Sequence, residues 1–373
     1  MKFNRYFYQL QEDFRRKKRM VLFVGAGINA TKGKHLLWED LLRYLFDKAI
    51  RYLSIERSLD NEVLDKLKGA MNFSMTGKGN LQEQFKLHEF INREFPLIVQ
   101  ASIVKKVLGN SYTSAIQDFF YGQCNKDLLA RVFRDNYSFS REKNDGDNEY
   151  PFHTLYQLAR MILLCPSIEA VVTYNYDNFL TEAIKILYEE REDYFSGAEL
   201  EWLNRRENFR VHDISGSLYD RELGSNDLFV YHVHGFVPSP SQVIPSAGNE
   251  IVLSMEEFYE NSREVYSWQT ATQLHFFSHY TCLLAGMSLS DMTVQRMLHY
   301  ASRCGNEDKI YYLHAGNARG DDSHARTYET LKNIKDTFHL ENGVVPLFHK
   351  DGYVELYRWL GETVSDLVKN GFK

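Results

Sequence analysis

Short apolar runs that alternate with amphipathic segments constrain the fold of this chain more than any other feature. The runs are rich in β-branched and aromatic residues, and the segments between them repeat apolar residues at helical spacing. The runs cover 20–24, 170–173, 229–233, 282–285, 310–313 and 344–348, and the helical segments cover about 178–192, 255–275, 292–304, 324–336 and 353–369. Such alternation favours a mostly parallel sheet with helices on both faces. The predicted fold class is therefore α/β, with a doubly wound sheet.

A long helical stretch interrupts this alternation. From Trp38 to about Tyr137 apolar residues recur at a helical period, and no segment has a convincing strand pattern. A charged segment at 138–149, followed by Pro151, is typical of a linker. We therefore predict three parts: residues 1–37 with the N-terminal helix, first strand and glycine turn, a helical insertion at 38–150, and the remainder of the α/β domain at 151–373.

Charge and composition exclude several classes of protein. The net charge of −6, from 44 basic and 50 acidic residues, argues against a large binding surface for duplex nucleic acid. No stretch has the roughly 18 to 20 apolar residues that span a bilayer, and no signal peptide is recognisable, so we expect a cytoplasmic protein. The 4 cysteines form no C-x-x-C pair, so we expect neither a disulfide framework nor a bound metal.

A glycine turn follows the first apolar run. Residues 25–30 read G-A-G-I-N-A, which fits the G-x-G-x-x-G/A pattern whose backbone amides approach a pyrophosphate. A dinucleotide site of the usual hydride-transfer type also needs an acidic residue about 20 positions later, at the end of a second strand. That position falls in the helical run near Asp47, so the usual fingerprint is incomplete.

Polar residues follow three further runs. Thr173, Asn175 and Asp177 form a T-x-N-x-D pattern after 170–172, and ligands of doubly wound sheets bind at such strand ends. Asn175 or Asp177 could equally cap the next helix. His232 and His234 end the run 229–233, where a histidine can accept a proton or bind a ribose hydroxyl, or can simply be half-buried.

The turn after 282–285 is the last of these polar segments. It carries Gly286, Ser288 and Asp291, a small-residue turn that can hold ribose hydroxyls or a phosphate. Ser290 or Asp291 could instead be no more than a helix N-cap.

Taken in order, the glycine turn, T-x-N-x-D, H-G and G-x-S-x-x-D resemble the motifs of the sirtuin family. The resemblance covers 20–40 and about 155–300, and it implies a Rossmann-like NAD-binding fold. It implies that Asn175 and Asp177 face the nicotinamide ribose and that His234 is the catalytic histidine. The cofactor-binding residues that follow from it are Gly25, Ala26, Gly27, Thr173, Gly286, Ser288 and Asp291, and of these Asp291 is expected to shape its turn.

Departures from the sirtuin pattern narrow the resemblance. The four zinc cysteines of deacylating sirtuins are missing, the segment after the glycine turn leads to Trp38, and Asn29 replaces a common serine. In these respects the chain resembles the prokaryotic sirtuin-like NAD hydrolases of antiphage defence. That resemblance implies NAD+ as substrate, cleaved to nicotinamide and ADP-ribose, no metal, a homo-oligomer, and a HerA-like ATPase encoded alongside.

Other functions are open from sequence. The same pocket would serve ADP-ribosyl transfer to protein or deacylation of an acyl-lysine, although the absent zinc module counts against deacylation. A non-enzymatic NAD or ADP-ribose sensor is the alternative from a different class. For the hydrolase, Asn175 would orient water or hold the ribose, Asp177 would order its loop and add negative potential, and His234 would act as general base.

Overall fold

A computed structural model gives the architecture of the chain. It describes residues 5–30, 36–57, 97–138, 150–216, 226–240, 251–263, 267–289, 291–303, 309–315 and 325–372. The fold and the site are described from these residues.

One parallel sheet organises the described residues. Its seven strands lie in the order β3-β4-β2-β1-β5-β6-β7, and every neighbouring pair is parallel. The strands are β1 Met20–Val24, β2 Ile168–Thr173, β3 Arg210–Ile214, β4 Asp227–His232, β5 Thr281–Ala285, β6 Ile310–Ala315 and β7 Val344–His349. The predicted α/β, Rossmann-like fold class is confirmed.

Helices account for most of the remaining described residues. They are α1 Arg5–Arg15, α2 Trp38–Arg57, α3 Leu97–Leu108, α4 Tyr112–Tyr121, α5 Lys126–Tyr137, α6 His153–Leu164, α7 Phe179–Glu189, α8 Arg191–Tyr194, α9 Gly197–Arg205, α10 Met255–Arg263, α11 Trp268–His279, α12 Met292–Arg303, α13 Ala325–Glu341 and α14 Tyr353–Asn370. The helical segment predicted over about 255–275 is made of two helices, α10 and α11. The second begins after Ser267, whose hydroxyl caps it by accepting a hydrogen bond from the Thr270 amide at 3.2 Å.

Strand β1 shows why a continuous apolar run belongs in the centre of such a sheet. All five of its residues are buried. Met20, Leu22 and Val24 join the hydrophobic cluster on one face, while Val21 and Phe23 join the cluster on the other. Phe23 stacks on Phe277 of α11 with ring centroids 4.0 Å apart. Helices therefore cover both faces of the strand, as parallel sheets require.

Strand β3 was not predicted from the sequence. Its five residues read R-V-H-D-I, and only Val211 and Ile214 are buried. The strand pairs with β4 alone among the described strands and lies at the edge of the sheet. Because an edge strand exposes part of its surface, it carries polar residues and lacks the continuous apolar run of a central strand.

The order of the strands positions a binding crevice. On one side of β1 the sheet continues with β2, β4 and β3, and on the other side it continues with β5, β6 and β7. The carboxyl ends of β1 and β5 therefore flank a topological switch point. In open α/β sheets, ligands bind in the crevice at this point.

The described residues between β1 and α6 form α2 to α5 and contain no strand, in agreement with the predicted helical texture. The predicted linker beyond Ser138 lies outside the described residues, so the domain boundaries at 37 and 150 stay a prediction. No helix in the described part of the chain combines the length and the apolar character needed to cross a membrane.

Candidate functional site

Four polar turns lie together at the carboxyl ends of neighbouring strands. Val24, the last residue of β1, is in register with Thr173 on one side and with Ala285 on the other. Thr173 is in turn in register with His232. The segments that follow β1, β2, β4 and β5 therefore begin at the same level, and the structure brings the motifs of all four together.

The glycine turn packs directly on the turn after β5. The Gly25 amide donates to the Ala285 carbonyl at 3.1 Å, and the Gly27 amide donates to the Gly286 carbonyl at 2.8 Å. A Cβ atom on either Gly25 or Gly27 would lie 2.8 Å from the Gly286 oxygen. This contact between two turns requires glycine at both positions, and it uses the amides of both residues.

Asn29 connects the glycine turn to the T-x-N-x-D loop. Its side chain is buried, and its Nδ2 donates to Asp177 Oδ2 at 2.8 Å. The other oxygen of Asp177 accepts a hydrogen bond from the Phe179 amide at 3.0 Å, at the start of α7. Asp177 thus orders the beginning of its helix with one oxygen and holds Asn29 with the other.

Burial dominates the electrostatics of Asp177. Removal from water raises the pKa of its carboxyl group to about 6. The hydrogen bond from the Phe179 amide, the nearby His232 and the hydrogen bond from Asn29 each oppose this rise. The carboxylate is therefore ionised at neutral pH, at a cost in free energy.

Asn175 has a fixed main chain and a side-chain oxygen that finds no partner in the described part of the chain. Its amide donates to Thr173 Oγ1 at 3.0 Å, and its carbonyl lies 3.1 Å from His232 Nδ1. Within the described part of the chain, neither Asn175 Oδ1 nor Asn29 Oδ1 has a hydrogen-bond partner, although both atoms are buried. Since buried polar atoms are nearly always paired, these two acceptors are available to a ligand or a water molecule that supplies donors.

His234 is half-buried next to an aromatic ring. Tyr174 meets it edge-on, with ring centroids 4.8 Å apart at 86°, and the Tyr174 hydroxyl donates to Gln273 Oε1 at 2.7 Å. Burial lowers the pKa of the His234 imidazole, and the charge of Asp291 partly opposes this effect. The ring is therefore neutral at pH 7 and can accept a proton.

The turn after β5 combines a helix cap with an exposed hydroxyl-bearing residue. Asp291 Oδ1 accepts hydrogen bonds from the amides of Thr293 at 2.7 Å and Val294 at 3.3 Å, so Asp291 is the N-cap of α12. Ser288 is exposed at the same turn, and Ser290 lies outside the described residues.

Two groups near the site were missed from the sequence. Asp213 on β3 lies 2.9 Å from His232 through its Oδ1 atom. The Tyr121 hydroxyl of α4 lies 2.8 Å from the Val237 carbonyl and 3.0 Å from Asn178 Oδ1. Asp213 lies on the unpredicted strand, and Tyr121 is one of many aromatic residues at helical spacing, so no local pattern marks either.

In the described residues, no group of three or more histidine, cysteine, aspartate or glutamate side chains is arranged to hold a metal ion.

Comparison with known proteins agrees with this geometry. Residues 169–336 match the family model of the SIR2-like domain. The match supports a relationship of this region to a sirtuin-like family, and with it the NAD-dependent chemistry of such domains. No curated protein matches the chain significantly. The SIR2-like region contains Asn175, Asp177, His234 and Gly286, whereas the glycine turn precedes it and joins it through the contact with Gly286.

Proposed function

We propose that the chain is an NAD+ hydrolase that releases nicotinamide and ADP-ribose. The proposal rests on one observation, the two buried oxygens of Asn29 and Asn175 that have no partner among the described residues, the first of them on the amide group that bonds to the Asp177 carboxylate. Ribose hydroxyl groups supply hydrogen-bond donors of the kind that these acceptors lack. The SIR2-like region supports NAD+ as the source of the ribose.

Cleavage of the bond between nicotinamide and ribose requires a negative charge near the ribose and does not require a general acid. The bond between ribose C1′ and the nicotinamide nitrogen breaks with its electron pair moving to nicotinamide, which leaves as a neutral molecule. A positive charge then develops on the ribose, and a carboxylate already fixed nearby stabilises it without reorganisation. Asp177 fits this role because two hydrogen bonds fix its orientation.

A water molecule completes the reaction by attacking C1′. As the new C–O bond forms, the water loses a proton, and neutral His234 accepts it. Asn175 orients the water or holds the ribose through its amide side chain. Its main chain is held at both the amide and the carbonyl, so the side chain starts from a fixed position.

Substitution of Asn175 or His234 by alanine tests this assignment. We expect each variant to lose roughly 100-fold or more in the rate of NAD+ cleavage, because each removes a positioned group. Chromatographic measurement of nicotinamide and ADP-ribose gives the rate. Matched controls are Asn136→Ala and His279→Ala, whose side chains hydrogen-bond only main-chain carbonyls one helical turn away among the described residues.

The products separate the alternatives. If either site variant cleaves NAD+ as fast as wild type, the residue assignment is wrong. ADP-ribose attached to protein would indicate a transferase, loss of acyl groups from lysine would indicate a deacylase, and binding without turnover would indicate a sensor.

The pH dependence of cleavage tests the link between Asn29 and Asp177. We expect the rate to fall as pH drops through about 6, because Asp177 becomes protonated there. Asn29→Ala removes a hydrogen bond that favours the carboxylate, so the acid limb of kcat/KM is expected to move to higher pH. Asn29→Ser keeps a shorter donor and is expected to shift less. Identical acid limbs in all three proteins would contradict the link.

We extend the proposal to the biological setting. The chain acts as the NAD-depleting effector of a bacterial antiphage defence system, in the cytoplasm, as a homo-oligomer, with a HerA-like ATPase encoded alongside. Support for this setting comes from the sequence resemblance. Purified chain assayed with and without the product of a neighbouring ATPase gene tests it, and cleavage that is unaffected by the ATPase would remove the partner from the proposal.

A further inference from the structure

A buried histidine and a half-buried aspartate lie directly behind the loop that carries Asn175. His232 ends β4 with about 1% of its surface exposed, and Asp213 precedes the last residue of β3. His232 Nε2 lies 2.9 Å from Asp213 Oδ1, and His232 Nδ1 lies 3.1 Å from the Asn175 carbonyl oxygen. The imidazole ring therefore bridges an edge strand and the loop after β2.

The hydrogen-bonding capacity of these groups fixes where a proton must lie. A carbonyl oxygen can only accept, so His232 Nδ1 must carry hydrogen and donate to Asn175. The Thr181 hydroxyl donates to the same Asp213 oxygen at 2.5 Å. A further proton must lie between His232 Nε2 and Asp213, either on the ring or on the carboxyl group, because two bare acceptors would repel each other.

Asp213 therefore fixes the position of the His232 ring. Its carboxyl group lies at Nε2 and the Asn175 carbonyl lies at Nδ1, so the ring is held on both sides and Nδ1 stays directed at the loop. Together with the bond from the Asn175 amide to Thr173 Oγ1, this fixes both polar atoms of the Asn175 main chain.

We propose that Asp213 and His232 are positioning residues for the NAD+-cleaving site, holding the Asn175 carbonyl so that its amide side chain points at the substrate. This inference rests on the proposed hydrolase function. It gives His232 a role distinct from that of His234, since His232 contacts the protein and leaves the reacting atoms to Asn175 and His234.

Two substitutions of His232 test the proposal because each places a hydrogen-bond donor at the position of a different ring nitrogen. An asparagine amide can occupy the position of Nδ1 and still donate to the Asn175 carbonyl, whereas a glutamine amide reaches the position of Nε2. We expect His232→Asn to keep a kcat about 10-fold or more above that of His232→Gln, the equivalent of one hydrogen bond, with little change in KM for NAD+. Equal kcat values in the two variants would overturn the proposal.

A second histidine and aspartate on the same two strands provide a matched control. His212 Nε2 lies 3.5 Å from Asp227 Oδ2 at the other end of β4, away from Asn175. His212→Asn is expected to leave kcat and KM unchanged. If it lowers kcat as much as His232→Gln does, the effect comes from the stability of the edge strand and the positioning role is wrong.

Nitrogen NMR of labelled histidine tests the contact without any assay of NAD+. We expect wild-type His232 to carry hydrogen on Nδ1, and we expect Asp213→Ala, which releases the Nε2 side of the ring, to shift the amide signal of Tyr176, which follows the Asn175 carbonyl. An Nδ1 without hydrogen in wild type, or spectra unchanged by Asp213→Ala, would overturn the proposal. If wild type never cleaves NAD+, the hydrolase proposal fails, and these spectra still decide whether Asp213 controls the Asn175 carbonyl.

Discussion

Replacement of Asp177 by asparagine is expected to slow NAD+ cleavage strongly and, at pH 8, to make the folded protein more stable. Burial raises the pKa of this carboxyl group from 3.8 to about 6. The folded protein therefore binds the proton more tightly than the unfolded chain does. Stability is lost as pH rises from about 4 to about 6, and above that range the ionised group costs on the order of 3 kcal/mol.

Asparagine has the shape of aspartate and can keep both contacts. Its oxygen can accept from the Phe179 amide, and its NH2 group can donate to Asn29 Oδ1 once the Asn29 amide group rotates by half a turn and replaces the present bond from Nδ2. The variant therefore loses the buried charge and keeps the hydrogen bonds. Cleavage is expected to fall by roughly 100-fold or more, because the developing positive charge on the ribose loses its counter-charge.

Urea unfolding at pH 4, 6 and 8 measures the stability effect. The difference in unfolding free energy between Asp177→Asn and wild type should grow in favour of the variant between pH 4 and pH 6 and then level off. Asp118→Asn, at an exposed carboxylate paired with Lys48 at 2.8 Å, is the control and should show a smaller change. A variant that is less stable than wild type at pH 8 would contradict the assigned cost of ionisation.

The site could be recognised from the sequence because it carries polar side chains that serve activity at a cost in stability. A T-x-N-x-D segment after a buried run places polar side chains where apolar ones would stabilise the fold. Because parallel strands end at the same edge of the sheet, four such segments could be assigned to one region before any contact was known. The apolar runs of β1, β2 and β5 were visible because those strands are paired on both sides and covered on both faces, whereas β4 is paired on both sides and alternates buried with half-buried residues.

The partners within the site could not be predicted in the same way. Asn29 and Asp177 are 148 positions apart, and their hydrogen bond depends on the angle at which two turns approach each other. The edge-on contact of Tyr174 with His234 depends in the same way on the loop that follows β2. Asp213 was missed because its edge strand lacks the continuous apolar run of a central strand. Local periodicity identifies buried strands, whereas these contacts arise from tertiary packing.

Glycine at position 286 is expected to be the most sensitive backbone position of the site. Its φ is +61°, and a Cβ atom there would lie 2.5 Å from the Ile28 nitrogen and 2.9 Å from the Gly27 carbonyl carbon. Gly286→Ala therefore combines left-handed strain of roughly 1–2 kcal/mol with a backbone clash that costs roughly 1–3 kcal/mol more. The turns after β1 and β5 must separate, which breaks the 2.8 Å hydrogen bond from Gly27 to Gly286 and removes NAD+ binding.

Gly197→Ala is the control that isolates the clash. Gly197 has a φ of +53°, close to that of Gly286, but no atom lies within 4 Å of its added Cβ among the described residues. It should lose only the roughly 1–2 kcal/mol of left-handed strain and keep NAD+ binding. Thermal unfolding and calorimetric titration with NAD+ compare the two variants. Equal losses of stability would mean that backbone strain alone requires glycine at 286, whereas a larger loss at 286 together with lost binding would show that the contact between the two turns holds the nucleotide crevice together.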